Sequence, residues 1–210
     1  MMILVVTPEH SGWQADALRT YKMPAEKVIW SSLPVASEPV ESCIDLLFDN
    51  SKERINTLNN LGANVVFVSY VAGTTVDFPD NFVRINAWPG FFEREITECA
   101  AKNRNIREVA EKVLSCFNRK IEWTPDIPGF ISARIISMIV NEAYFALKEG
   151  VSTKAEIDAA MTLGTSYPLG PFAWSEKIGL KNIQTLLTAM AASNYRYKPC
   201  DLLTKEASEQ

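Results

Sequence analysis

An α/β first half followed by an all-helical second half is the architecture this sequence predicts, and three observations carry it. Short β-branched runs alternate with helical patterns through the first half. From Pro128 onward the strand signal disappears. Between the two regimes Pro125 and Pro128 bracket Asp126, and proline disfavours helix both at itself and at the residue before it. The reading is a domain over 1–125 and a second over 126–210. Alternating strands and helices imply a mostly parallel sheet with helices on both faces.

The strands predicted in order are Ile3–Val6, Val28–Trp30, Ile44–Phe48, Asn64–Ser69 and Phe82–Trp88, each a short run rich in apolar and β-branched residues. Helices are predicted over Ser51–Leu61, which ends before Gly62, and over Ile106–Phe117, where Ile106, Val109, Ala110, Val113 and Leu114 recur at helical spacing. In the second half Ile131–Leu147 is apolar on nearly every face, so this helix must be buried in its own domain or against a second subunit. Thr153 and Glu156 have the spacing of a capping box, and Gly164 is placed to stop that helix in a left-handed cap. Leu180, Ile183, Leu187 and Met190 mark a last amphipathic helix, and Tyr197–Gln210 reads as a frayed tail.

Composition excludes several classes. The net charge is −4, with 21 basic residues scattered among 25 acids, whereas a nucleic-acid surface needs clustered Lys and Arg. Four cysteines lie far apart without a Cys-x-x-Cys pair, and there is a single histidine, His10, so neither a metal site nor a disulfide framework is signalled. No apolar run approaches the ~18 residues of a membrane span, and Met1–Val6 lacks the basic leader of a signal peptide. The expectation is a cytoplasmic protein without membrane or nucleic-acid partners.

The most specific stretch is Pro128–Leu180. Pro-Gly-Phe opens it, Asn-Glu-Ala sits inside the long helix, Glu-Gly-Val closes that helix, and Asp-Ala-Ala-Met with Leu-Gly leads into Tyr-Pro-Leu-Gly-Pro-Phe. This resembles the C-terminal domain of the 3-hydroxyacyl-CoA dehydrogenases, as a short and divergent member. The resemblance implies a trimmed Rossmann-like domain followed by an all-α domain. In the family these two domains flank an acyl-CoA cleft, and NAD is the cofactor. It also implies a homodimer formed through the helical domain.

The same resemblance locates the site. A dinucleotide fold needs a glycine-rich turn after its first strand. Here Thr7-Pro8-Glu9-His10-Ser11-Gly12-Trp13 keeps only Gly12 as glycine, and Ser31 stands where the ribose-gripping acid would end the second strand. Gly12 and Ser31 are therefore the candidate cofactor contacts, in a degenerate turn. The family's catalytic histidine falls at Asn86 in Arg-Ile-Asn-Ala-Trp-Pro-Gly, and its orienting glutamate at Glu98. An amide does not accept a proton near neutral pH, so Asn86 cannot be a general base. The polar turn after the fourth strand aligns with Ser69–Thr75, where Ser69 and Thr74 are the substitutes, and the family's helix asparagine is Ala133. The losses fall together on one function. They imply a scaffold with NAD-dependent oxidation of 3-hydroxyacyl-CoA lost or impaired and a cleft for an acyl-CoA-like ligand. Two alternatives stay open: an active oxidoreductase of fatty-acid metabolism with altered cofactor contacts, and a non-catalytic structural or regulatory dimer.

Overall fold

The computed structural model describes residues 1–8, 13–19 and 27–209. It divides into two compact units, Met1–Phe130 and Ile131–Gln210.

In the first unit the strands are β1 (Ile3–Val6), β2 (Val28–Ser31), β3 (Ser42–Asp45), β4 (Val65–Ser69), β5 (Phe82–Ile85), β6 (Ile96–Ala100) and β7 (Lys120–Trp123), and the helices are α1 (Trp13–Arg19), α2 (Lys52–Asn59) and α3 (Arg107–Ser115). Among the described residues the strands form one sheet in the order β2-β1-β3-β4-β5-β6-β7. It is parallel from β2 to β5, β6 runs antiparallel to β5, and β7 is parallel to β6. The reversal of order between β1 and β3 is a topological switch point, outside whose carboxyl ends such sheets bind ligands.

Two-sided burial explains why the parallel strands read as continuous apolar runs. Ile3, Val5, Ile44, Phe67 and Val83 pack on one face with Leu18 of α1 and Ala110, Val113 and Leu114 of α3. Their alternates Leu4, Val6, Cys43, Val66 and Val68 pack on the other with Leu58 of α2. Cys43, Cys99 and Cys200 are buried free thiols, and Cys116 is half-buried.

Three details differ from the sequence expectation. The third strand lies two residues earlier than expected, because pairing with β1 sets Ile3 against Ser42 and Val6 against Asp45; Leu47 N–H then turns back onto Asp45 Oδ1 at 3.0 Å and ends it. The fifth stops at Ile85 rather than Trp88. The chain past it folds into a tight turn, in which Phe91 and Phe92 N–H both donate to the Trp88 carbonyl. Strands β6 and β7 carry Glu98, Lys120 and Glu122 among their apolar residues, and neither showed a β-branched run.

The segment between Pro125 and Phe130 packs with the sheet unit, and a buried arginine is the reason. Arg84, wholly buried in β5, donates from Nε to Asp126 Oδ1 at 2.8 Å, from Nη1 to the Tyr70 carbonyl at 2.8 Å and from Nη2 to the Ile127 carbonyl at 3.0 Å. Its guanidinium lies 4.6 Å from the centre of the Phe130 ring. Asp126 also accepts from Thr75 N and Oγ1 at 2.8 and 2.7 Å. These bonds tie the loop after β4 to the chain's exit from the sheet.

The second unit holds α4 (Ser132–Lys148), α5 (Lys154–Thr165), α6 (Pro171–Ile178), α7 (Leu180–Ala191) and α8 (Asp201–Ser208). The capping box is present: Thr153 Oγ1 accepts from Glu156 N and the Glu156 carboxylate accepts from Thr153 N. Helix α5 ends at Ser166 in the left-handed region, φ 57°, two residues past the glycine expected to stop it. Gly170 has another use. Its missing Cβ would lie 2.5 Å from the Asp158 Cα, so only glycine lets α5 and the start of α6 meet. The Asp158 carboxylate caps α6 there, accepting from Phe172 N at 2.8 Å and Ala173 N at 3.0 Å.

The expected frayed tail is helix α8. Cys200, Leu203 and Ala207 are buried, an i, i+3, i+7 face in a stretch whose polar residues hide the period. Asn141 of α4 anchors its entry, accepting from Cys200 N at 2.8 Å and donating to the Lys198 carbonyl at 3.0 Å; this is the partner that a buried amide requires. Farther along, Glu206 accepts from Tyr144 Oη at 2.8 Å and pairs with Lys154 Nζ at 2.7 Å. Burial pushes its carboxyl up, but these two hydrogen bonds and the Lys154 charge outweigh that and leave it below the usual carboxylate range. A carboxylate depressed in the folded state contributes stability that is present above its unfolded pKa and lost as pH falls through the folded one. Glu206→Gln is therefore expected to cost about 1–2 kcal/mol at pH 7, a gap that starts to narrow near the unfolded value of about 4.3 and closes only below the depressed folded pKa, as read by urea unfolding across pH.

Candidate functional site

Asn86 follows the end of β5 and Glu98 lies in β6, and the antiparallel pairing of those strands brings them together. The backbone contact Asn86 N to Glu98 O is 3.0 Å. Above it the side chains meet, with Asn86 Nδ2 donating to Glu98 Oε2 at 2.8 Å. Asn86 Oδ1 accepts from Trp88 N at 3.4 Å. The amide is thus oriented by two partners and is itself 2% exposed, whereas Glu98 is only half-buried. Trp88, Phe91 and Phe92, which follow on the tight turn, are all buried. Of the pair, Glu98 is the less buried residue.

The other sequence candidates fall as follows. Ser69 ends β4 in register with Ile85, one residue from Asn86. Thr74 sits in the next loop, where its neighbour Thr75 is the engaged residue: besides holding Asp126, its hydroxyl accepts from Lys102 N at 3.0 Å. Nothing in the sequence distinguished Thr75 from Thr74; the difference arises from Asp126, remote in sequence. Gly12 and His10 lie outside the described residues. Ser31 ends β2 as expected, but its hydroxyl accepts from Leu33 N at 3.1 Å and closes a local turn. In the second unit Ala133 is buried in α4, Arg134 Nη1 donates to Tyr197 Oη at 3.1 Å, and Glu142 is exposed.

Whether these residues fit a dinucleotide can be asked at the switch point. The carboxyl end of β2 offers Ser31 and Ser32, whose hydroxyls do not supply the carboxylate that grips a ribose diol. At the end of β3 stands Asp45, wholly buried, but Arg54 holds both its oxygens at 2.7 Å. Pro8, next to the first turn, lacks an N–H for a phosphate. The described residues do not fit NAD in the usual manner. Among them there is also no cluster of His, Cys, Asp or Glu able to hold a metal ion, and no helix long and apolar enough to cross a membrane.

Residues 129–210 match the family model of the 3-hydroxyacyl-CoA dehydrogenase C-terminal domain. The 3-hydroxyadipyl-CoA dehydrogenase of Escherichia coli is 43% identical over 84 residues, covering 39% of this chain and 18% of that protein. A 3-hydroxybutyryl-CoA dehydrogenase of Bradyrhizobium diazoefficiens is 30% identical over 145 residues, covering 67% of this chain. The chain belongs to the 3-hydroxyacyl-CoA dehydrogenase family. Its match spans about half the length of the Bradyrhizobium relative, 49%. Among solved structures, (S)-3-hydroxybutyryl-CoA dehydrogenase from Ralstonia eutropha shares the fold with a TM-score of 0.73 at 19% identity, over 88% of this chain and 71% of that one. The family's fold, a Rossmann-like sheet unit followed by a helical unit, is the one seen here.

Proposed function

We propose that this chain is a divergent 3-hydroxyacyl-CoA dehydrogenase-family protein that has lost NAD-dependent oxidation and retains a site for an acyl-CoA-like ligand at Glu98. One observation carries the reading: a side-chain amide, Asn86, donates to Glu98 at 2.8 Å where the resemblance puts a histidine base. An amide neither takes the proton of a substrate hydroxyl nor returns it, and a positioned general base is worth about 10²–10⁴-fold in rate. What the pair can still do is bind. The half-buried carboxylate accepts a hydrogen bond from a ligand hydroxyl or amide, and Asn86 fixes its orientation.

The helical unit supports self-association. Helix α5 has no buried residue although it carries Ile157, Ala160, Met161 and Leu163, and Leu163 is 84% exposed. In this reading a second copy of the chain covers the exposed Ala160 and Leu163 together with the half-buried Ile157 and Met161. The protein is therefore a homodimer through its helical unit in this reading, and sedimentation equilibrium giving the mass of a single chain would overturn that part.

NADH absorbance in the presence of acetoacetyl-CoA is expected to stay flat. Steady turnover that disappears in Glu98→Ala would establish an active oxidoreductase instead. Thermal shifts with CoA, acetoacetyl-CoA and NAD test the ligand: a compound at a hundred times its Kd adds about 2.7 kcal/mol of stability. The expected shift is with the acyl-CoA. Absence of a shift with all three would favour a structural or regulatory dimer.

A further inference from the structure

A second buried arginine, outside the residues discussed so far, holds the chain segment that runs between Asn86 and Glu98. Arg119 lies in the turn before β7 and is 5% exposed. Nη1 donates to the Arg94 carbonyl at 2.9 Å and to Thr97 Oγ1 at 3.1 Å; Nη2 donates to the Ala17 carbonyl at 2.9 Å and to the Phe92 carbonyl. Its guanidinium stacks 4.2 Å from the centre of the Phe92 ring. Its acceptors come from α1, from the turn that follows Asn86, and from the residue adjacent to Glu98.

We propose that Arg119 is the positioning residue of the Asn86–Glu98 site, holding the segment from Asn86 to Glu98 in register against α1 so that amide and carboxylate stay paired. The inference rests on the reading of that pair as a ligand site. The chain between Asn86 and Glu98 leaves the sheet after β5 and re-enters it at β6, so the two backbone bonds on Phe92 and Arg94 fix the excursion at its far side. The Thr97 bond fixes its return. Burial is costly for this residue: it lowers the guanidinium pKa to about 10, with Glu93 and Cys99 acting the other way. The group stays charged at neutral pH, and its planar fork reaches carbonyls in several directions, which a lysine ammonium on one flexible stem does not do.

The test uses the full chain labelled with ¹⁵N. The Asn86 side-chain amide signal, assigned by its loss in Asn86→Ala, is followed as pH is lowered through the ordinary carboxylate range, with Glu98→Gln as the blank. In Arg119→Lys the amide response is expected to fall to less than half its wild-type amplitude. Affinity for acetoacetyl-CoA is expected to fall about tenfold, since sub-ångström to ångström displacements of a site carry effects of this order or larger. Thr97→Val, which removes a single acceptor, should move both readouts in the same direction by less, and it decides the matter if Arg119→Lys does not fold. Glu206→Gln is the control, a destabilising change in the second unit that lowers the melting temperature without changing the Asn86 response. A melting temperature lowered in Arg119→Lys and Thr97→Val with the Asn86 titration at wild-type amplitude would overturn the proposal. If wild type binds no acyl-CoA, the ligand reading fails, and the amide titration still decides the role of Arg119.

Discussion

Arg84→Met is expected to destabilise the protein by about 3–5 kcal/mol, the cost of removing one partner from a buried ion pair. The substitution keeps most of the apolar volume and strips every donor. Asp126, with its side chain 18% exposed, loses its cation, and the Tyr70 and Ile127 carbonyls lose the Nη donors that satisfied them at 2.8 and 3.0 Å. Each buried group left without a partner adds about 1–3 kcal/mol, and part of that is recovered where water enters beside Asp126. Arg84→Lys should recover little, because one ammonium cannot reach Asp126, Tyr70 and Ile127 together. Urea unfolding followed by circular dichroism measures the difference. A loss below 1 kcal/mol for Arg84→Met would mean that Thr75 alone, through its two bonds to Asp126, suffices to hold the exit segment.

That cluster also shows where the sequence is silent. The core strands were legible because residues such as Ile3–Val6 and Val65–Val68 are apolar on both faces of the sheet, and burial of both faces leaves a composition that pattern reading detects. Helices α4 and α7 were legible through their apolar spacing and α5 through its capping box. Strand β6 was not, because its buried residues Thr97, Cys99 and Ala100 are small or polar and alternate with Glu98. Helix α8 was missed because its buried face is three residues in a lysine- and glutamate-rich tail. The candidate pair was found through the family resemblance, which sets Asn86 and Glu98 at the positions of a histidine and its orienting glutamate, and the two do meet. Arg84 and Arg119 were not found at all. Their acceptors are largely backbone carbonyls, which leave no mark in a sequence, and Asp126 is separated from Arg84 by two further strands and a helix.

Asn86→Asp provides the sharpest probe of the pair, since it changes almost no volume. The substitution replaces an N–H donor by a carboxylate oxygen 2.8 Å from Glu98 Oε2, at a position 2% exposed. Two carboxylates at that separation cannot both ionise, so one proton is retained and its pKa rises well above the unfolded values of about 3.9 for Asp and 4.3 for Glu. Between those values and the raised one the folded state binds more protons than the unfolded state, so stability falls as pH rises across that window. The expected result is a variant close to wild type at about pH 4, where the unfolded carboxyls are also protonated, and about 3 kcal/mol less stable at pH 7. Asn86→His should behave differently. An imidazole N–H can donate to the Glu98 carboxylate as the amide does, so near-neutral stability should stay within about 1.5 kcal/mol of wild type, the range of a well-fitted core exchange. Urea midpoints at both pH values separate the cases. Equal stability of Asn86→Asp and wild type at pH 7 would show that the 2.8 Å contact is not maintained in solution, and would remove the observation on which the ligand-site reading rests.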